Sequence, residues 1–236
     1  LMIKAVLFDV GNTLIDNDKA TEIYMKNPVE WKILRKKYPK ITLEKFLDAA
    51  RHVQKEKREF TKEEHPRWYQ NRVIERLGIP HDESLALEMR KTFERLDDTL
   101  IKSQVLMPHT FEILDYLHKK GYKMAIVTDA TTSWVRKWLK KINRKHYFQS
   151  IVISSEIGST KSSLIPFKQA LKELKVEPNE CMMIGDGRSD MMARKLGIHT
   201  CLLNRGKNHS EWEDKPELII HDLNEIPKII ENFTQV

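Results

Sequence analysis

The stretch IKAVLFDVGNTLID, residues 3–16, decides the fold. Ile3, Ala5, Val6, Leu7 and Phe8 form a short, almost continuous apolar run, the pattern of a strand buried on both faces. The run ends in one acid, Asp9, and the chain turns at once through Gly11, Asn12 and Thr13. The same pattern recurs at Lys123–Val127, Ile151–Ile153, Met182–Ile184, Thr200–Leu203 and Leu218–Ile220. Helical periodicity fills the gaps. Phe111, Leu114 and Leu117 share one face before Gly121, and Leu164, Phe167, Leu171 and Leu174 share another. In the second of these, Pro166 fits only in the first turn. Trp134 and Trp138, four residues apart, read as a core-facing stripe.

Strand and helix in alternation predict an α/β fold with a parallel sheet and right-handed crossovers. This is a three-layer α/β/α, Rossmann-like core. Residues 18–105 break the alternation. They are rich in Lys, Glu, Arg and Leu, with turn signals at Tyr38-Pro39, Glu64-His65-Pro66 and Gly78-Ile79-Pro80. Four helices are expected there, near 19–37, 42–59, 66–77 and 82–101. The expected division is a core of 1–17 and 106–236, with a helical domain of 18–105 inserted after the first strand.

The 236 residues are 40% hydrophobic and 32% charged, a soluble globular composition. No apolar run approaches the ~18 residues that span a bilayer, and no basic-apolar leader is evident, so a cytoplasmic protein without membrane association is expected. Cys181 and Cys201 each sit in an apolar segment and read as buried free thiols. The 41 Lys and Arg exceed the 34 Asp and Glu, giving +7. These bases are spread through helices and interleaved with acids. That pattern reads as a solvated surface, compatible with attraction of phosphorylated substrates, rather than a nucleic-acid face. A monomer or homodimer is expected.

Ligands of a parallel sheet bind beyond the carboxyl ends of its strands. Asp9 ends the first strand, Thr128 and Asp129 end the second, and GDGRSD, Gly185 to Asp190, follows another. Lys161 follows the IVI strand after a loop of Gly158, Ser159 and Thr160. Carboxylates gathered at one edge repel unless a cation sits among them, and an all-oxygen donor set suits Mg²⁺. Each residue has a local explanation when taken alone: Asp9 in a turn, Thr128 or Asp190 as a helix cap, Lys161 on the surface. Their joint order at strand ends favours one site.

These motifs resemble those of the haloacid dehalogenase superfamily. VLFDVGNTL resembles its first motif, AIVTDA its second, GSTKSSLIPFKQAL its third and MIGDGRSDMMARKLG its fourth. The helical insertion resembles the cap of the dehalogenase–phosphatase branch. The resemblance implies that Asp9 is a nucleophile forming an aspartyl intermediate, assisted by Thr128 and Lys161. It implies a Mg²⁺ site from Asp9, the Gly11 carbonyl, Asp186 and Asp190, and a small phosphomonoester as substrate. Asn12, Thr13 and Asp129 are candidates for binding that substrate, with backbone N–H groups of residues 11–13 cradling phosphate oxygens.

The chain departs from the family at Gly11, where most of its phosphatases carry a second Asp that protonates the leaving group. Four readings stay open: a phosphatase for good leaving groups or with the acid replaced by Asp16, Asp129 or a cap residue; a 2-haloacid dehalogenase; a phosphonate-cleaving enzyme; and a non-catalytic binder of a phosphorylated ligand or a protein. In the inserted domain, HPRWYQNR (His65 to Arg72) offers Trp68 and Tyr69 to a substrate and Arg67 or Arg72 to an anion, although packing explains the aromatics equally. LLNRGKNHS, after the strand at 200–203, is expected to loop near the site.

Overall fold

Alternate residues of the first strand, β1 (Ala5–Phe8), enter two different cores, and this organises the fold. The computed structural model describes residues 2–26, 28–56, 67–102, 105–130, 132–206 and 208–234. They fall into two compact units, residues 1–17 with 105–236, and residues 18–104.

The first unit holds a six-stranded, wholly parallel sheet in the order β3-β2-β1-β4-β5-β6. Its later strands are β2 (Lys123–Thr128), β3 (Phe148–Ile153), β4 (Cys181–Gly185), β5 (His199–Leu203) and β6 (Leu218–Ile220). Every expected strand is present. β1 begins at Ala5 rather than Ile3, and β3 begins three residues earlier than expected. Its first half alternates, with Gln149 exposed beside buried Phe148 and Ser150, so an apolar-run criterion passes over it.

In the second unit lie α1 (Asn17–Met25), α2 (Val29–Lys37), α3 (Leu43–Lys55), α4 (Trp68–Arg76) and α5 (Glu83–Lys102), of which α1 straddles the unit boundary. The single helix expected over 19–37 is therefore two. Pro28 stands at the break, in extended conformation, where it lacks an N–H and disfavours helix in the residue before it. The expected ends of two helices, at 59 and 66, lie outside the described residues. Thr42 caps α3 by accepting the Lys45 N–H. Phe46, Ala50, Val53, Val73, Ile74 and Met89 form this unit's own core.

The remaining helices belong to the first unit: α6 (Thr110–Lys119), α7 (Thr132–Lys141), α8 (Ser154–Ile157), α9 (Ile165–Leu174), α10 (Arg188–Met191) and α11 (Ile226–Thr234). On one sheet face, Val6 and Phe8 pack with Ile113, Leu114 and Leu117 of α6, Trp138 of α7 and Ile230 of α11. On the other, Ala5 and Leu7 pack with Phe167, Ala170 and Leu174 of α9. This is the expected three-layer α/β/α arrangement. A sheet covered on both sides needs apolar side chains in both directions, which is why its strands read as continuous runs. Among the described residues no helix is long and apolar enough to cross a membrane. Cys181 and Cys201 are buried free thiols on neighbouring strands.

Candidate active site

Asp9 leaves the sheet one residue after β1, with its N–H donated to the Ile184 carbonyl of β4 at 3.0 Å. The chain then folds back tightly. The Val10 carbonyl accepts the N–H groups of Leu14 at 2.9 Å and Ile15 at 3.0 Å, and Asn12 takes a left-handed φ of 54°. Asn tolerates that conformation better than most residues. The turn fixes the Asp9 carboxylate at the carboxyl edge of the sheet, beside β2 and β4.

Three further charged groups converge there. Lys161 Nζ donates to Asp9 Oδ1 at 2.8 Å and to Asp190 Oδ1 at 2.5 Å. Carboxylate oxygens of Asp9, Asp186 and Asp190 lie within 4.8 Å of one another. All four residues are buried, Lys161 at 3% exposure. Asp190 also accepts the Gly187 N–H at 2.9 Å through its other oxygen. This orientation depends on Gly185: a Cβ there would lie 2.2 Å from the Asp190 Cγ. Glycine at the end of β4 is thus a packing requirement of the carboxylate five residues later.

Burial governs the charges. It pushes the Asp9 carboxyl above its ordinary range, and the Lys161 ammonium pulls it only part of the way back. Burial likewise raises Asp190, to about 7, against the opposing pull of Lys161. For Lys161, burial disfavours the ammonium, but Asp190, Asp9 and Asp129 outweigh it and hold the proton more tightly than usual.

Lys161 is itself held in place. It opens a short 3₁₀ turn, Lys161–Ser163, after Thr160. Its backbone N–H is donated to Asp129 Oδ1 at 3.1 Å, and the same oxygen accepts the Ser154 hydroxyl. Asp129 therefore ties the end of β2 to the end of β3 and to the lysine loop. The sequence offered Asp129 as a substrate ligand, whereas its carboxylate is engaged inside the protein. Ser154 was missed, although a polar residue directly after a strand is the signal that found the others.

Other expected contributors are placed differently. Thr128 is buried at the end of β2, and its hydroxyl accepts the Ala130 N–H at 3.2 Å. The N–H groups of Asn12 and Thr13, expected to cradle phosphate, are donated to the carbonyls of Ile15 at 2.6 Å and Val10 at 3.4 Å, because the turn closes on itself. The Thr13 hydroxyl is buried and finds no partner among the described residues. Gly11 is not forced by its backbone, since its φ is not positive. Its lack of a side chain matters for space: a Cβ would lie 2.4 Å from Nδ2 of Asn17. Asn17, which the sequence reading passed over, stands over the turn. Asp16 is ion-paired with Arg205 at 3.5 Å, which brings the loop after β5 to the same region.

In the helical unit, Arg67 is paired with Glu83, and Arg72 with Glu56 at 2.8 Å and with Glu75. Trp68 and Tyr69 are partly buried against that unit's core. The arginines expected to hold an anion are engaged by neighbouring carboxylates. His65 and Pro66 of the same stretch lie outside the described residues.

The cluster fits a hard divalent cation: three carboxylates meet the Lys161 ammonium, and among the described residues neither sulfur nor imidazole enters the set.

The family model of haloacid dehalogenase-like hydrolases matches residues 3–196. A glyceraldehyde 3-phosphate phosphatase of Methanopyrus kandleri is 30% identical over 213 residues, 87% of this chain and 86% of the relative. A phosphoglycolate phosphatase of Escherichia coli K12 is 26% identical over 152 residues, 63% of this chain and 60% of that protein. Among solved structures, the fold resembles a HAD phosphatase from Thermococcus onnurineus, with TM-score 0.73, 22% identity and coverage of 97% and 98% of the two chains. It also resembles a 2-haloacid dehalogenase from Pseudomonas syringae, with TM-score 0.69, 22% identity and coverage of 98% and 100%.

Proposed function

The chain belongs to the haloacid dehalogenase-like hydrolases, and from that premise we propose that it is a Mg²⁺-dependent phosphatase for small phosphomonoesters, with Asp9 as nucleophile. One observation carries the reading: Lys161 bridges Asp9 and Asp190 in a buried cluster that also contains Asp186. The names of the relatives, a glyceraldehyde 3-phosphate phosphatase and a phosphoglycolate phosphatase, support small phosphorylated substrates.

Asp9, Asp186 and Asp190, with the Gly11 carbonyl, would hold Mg²⁺. When bound, the ion supplies positive charge to the phosphoryl oxygens and relieves repulsion among the carboxylates. The protein's own part is positional. An Asp9 oxygen attacks phosphorus as the bond to the ester oxygen breaks, and that oxygen departs with its electron pair, leaving an aspartyl phosphate; water then adds to phosphorus, the bond to Asp9 breaks, and inorganic phosphate and the Asp9 carboxylate are released. Lys161 holds the nucleophile in orientation and offsets charge that gathers in the transition state. The Thr128 hydroxyl, on the strand next to β1, would turn from the Ala130 N–H towards a phosphoryl oxygen. We read the inserted helical unit as the cap that selects substrate. No nucleic-acid or membrane role is proposed, and the place of action is taken to be the cytoplasm.

Phosphate release from a panel of small phosphomonoesters, measured with Mg²⁺ and with EDTA, tests this reading. Metal-dependent release that disappears in Asp9→Asn supports it. Metal-independent halide release from chloroacetate would replace it with dehalogenation. Binding of phosphate analogues with no turnover of either kind would replace it with a ligand-binding role.

A further inference from the structure

The turn after the nucleophile carries no side chain that titrates near neutrality. Gly11 has none, Asn12 is an amide, and the Thr13 hydroxyl is buried. The space above Gly11 is filled by Asn17, whose Nδ2, Cγ and Oδ1 would lie 2.4, 3.4 and 3.9 Å from a Cβ at position 11. Asn17 is held there by the turn. Its N–H is donated to the Ile15 carbonyl at 3.1 Å, and Ile15 is itself bridged to Gly11. A carboxamide donates a hydrogen bond but not a proton.

The acids nearest in the chain are engaged as acceptors. Asp16 pairs with Arg205, and Asp129 takes both the Ser154 hydroxyl and the Lys161 N–H. Asp190 accepts from Lys161 and Gly187. Lys161 is clasped by two carboxylates, donating to both Asp9 and Asp190.

Resting on the phosphatase reading, we propose that Gly11 and Asn17 fit this site to phosphoryl donors whose leaving group departs as an anion. These are phosphate esters of acidic hydroxyls (aryl or enol) and, by the same chemistry, acyl phosphates. In the first step the Asp9 oxygen–phosphorus bond forms. The bond to the leaving oxygen breaks, and its electron pair leaves with that oxygen as phenolate, enolate or carboxylate. No proton is needed. In the second step the oxygen of water adds to phosphorus and the bond to Asp9 breaks with its electron pair on the Asp9 carboxylate; one proton of water stays on its oxygen and the other passes to a second phosphate oxygen. The Asn17 amide serves as a hydrogen-bond donor to the departing oxygen. An alkoxide, the anion of a much weaker acid, leaves poorly without a proton. General acid assistance is typically worth ~10²–10⁴-fold, and alkyl esters lose that factor here.

The test measures kcat/KM of the whole chain with Mg²⁺. The probes are acetyl phosphate, a series of aryl phosphates of graded phenol acidity, and two alkyl esters, phosphoglycolate and glyceraldehyde 3-phosphate. The expected result is a steep fall along the aryl series and about 10²–10⁴-fold between acetyl phosphate and the alkyl esters. In Gly11→Asp/Asn17→Ala the ratio of activated to alkyl substrate narrows at least tenfold. In Gly11→Asp alone it narrows less, because Asn17 stands in the way. Asp9→Asn is assayed with every probe. A flat profile whose turnover still requires Asp9 overturns this inference and leaves the phosphatase reading intact. A steep profile that the double variant leaves unchanged, with its melting curve intact, overturns the assignment to residues 11 and 17. Absence of Asp9-dependent release from every probe overturns both. The wild-type profile decides the leaving-group claim without any variant having to fold.

Discussion

Replacing Lys161 by Met removes the ammonium bonded to Asp9 and Asp190 and leaves Asp9, Asp186 and Asp190 within 4.8 Å of one another. Methionine matches the length and packing of the lysine stem, so the change is one of charge. Two unit charges at that separation repel by roughly 3–4 kcal/mol at an effective dielectric near 20. Breaking a buried ion pair by removing one partner costs about 3–5 kcal/mol. Uptake of protons by the carboxylates limits the loss, so the lower part of that range is expected at neutral pH. For a domain of this size each kcal/mol moves Tm by roughly 2–4 °C, which puts the metal-free variant about 6–16 °C below wild type. Added Mg²⁺ substitutes for the lost positive charge, so the ion should raise the variant's Tm more than it raises the wild type's. Thermal melting with EDTA and across a Mg²⁺ titration measures both quantities. A variant that melts within 2 °C of wild type in EDTA, with an equal Mg²⁺ shift, would refute the claim that Lys161 neutralises this cluster.

Gly185→Ala places a Cβ against Asp190 and should turn that carboxylate away from Lys161; calorimetric Mg²⁺ affinity is expected to fall ~10–100-fold, as for other losses of support around a metal ligand. Asp129→Ala frees the Lys161 loop from the end of β2, so kcat should fall by at least about tenfold, in line with misplacement of a catalytic group, while KM changes little. Burial pushes the thiols of Cys181 and Cys201 up to about 12, so a thiol reagent at pH 8.5 should modify neither in the native chain and both after denaturation. The sign for stability follows: the raised pKa means that the thiols' contribution is whole below about 9, where unfolded thiols begin to ionise, and is lost as the pH climbs towards 12.

The fold could be read closely because a sheet buried on both faces leaves little choice of residue. Ala5 to Phe8 serve two cores at once, so each position must be apolar. The strand-end polar residues were legible for the complementary reason: Asp9, Lys161 and Asp190 are costly to bury and are explained only by one another. What escaped the sequence depends on three-dimensional proximity. Nothing in GDGRSD says that Asp190 folds back onto Gly185, and nothing in NTLIDN says that Asn17 covers Gly11. The break at Pro28 was local and could have been read; helical composition on both sides of it masked the signal. The sequence leaves the N–H groups of Asn12 and Thr13 open to phosphate, whereas the folded turn spends them on Ile15 and Val10.

β1 has a consequence for biosynthesis. It leaves the ribosome well before both of its hydrogen-bonded neighbours, β2 at Lys123 and β4 at Cys181. At about 5–20 residues per second, the 176 positions from Ala5 to Cys181 take roughly 9–35 s to translate. Until then an apolar segment destined for the centre of the sheet has an edge with nothing to pair with, the condition that draws holdase chaperones and invites aggregation. The nascent polypeptide thus completes the cluster around Asp9 only after Asp190 is made, 181 positions later.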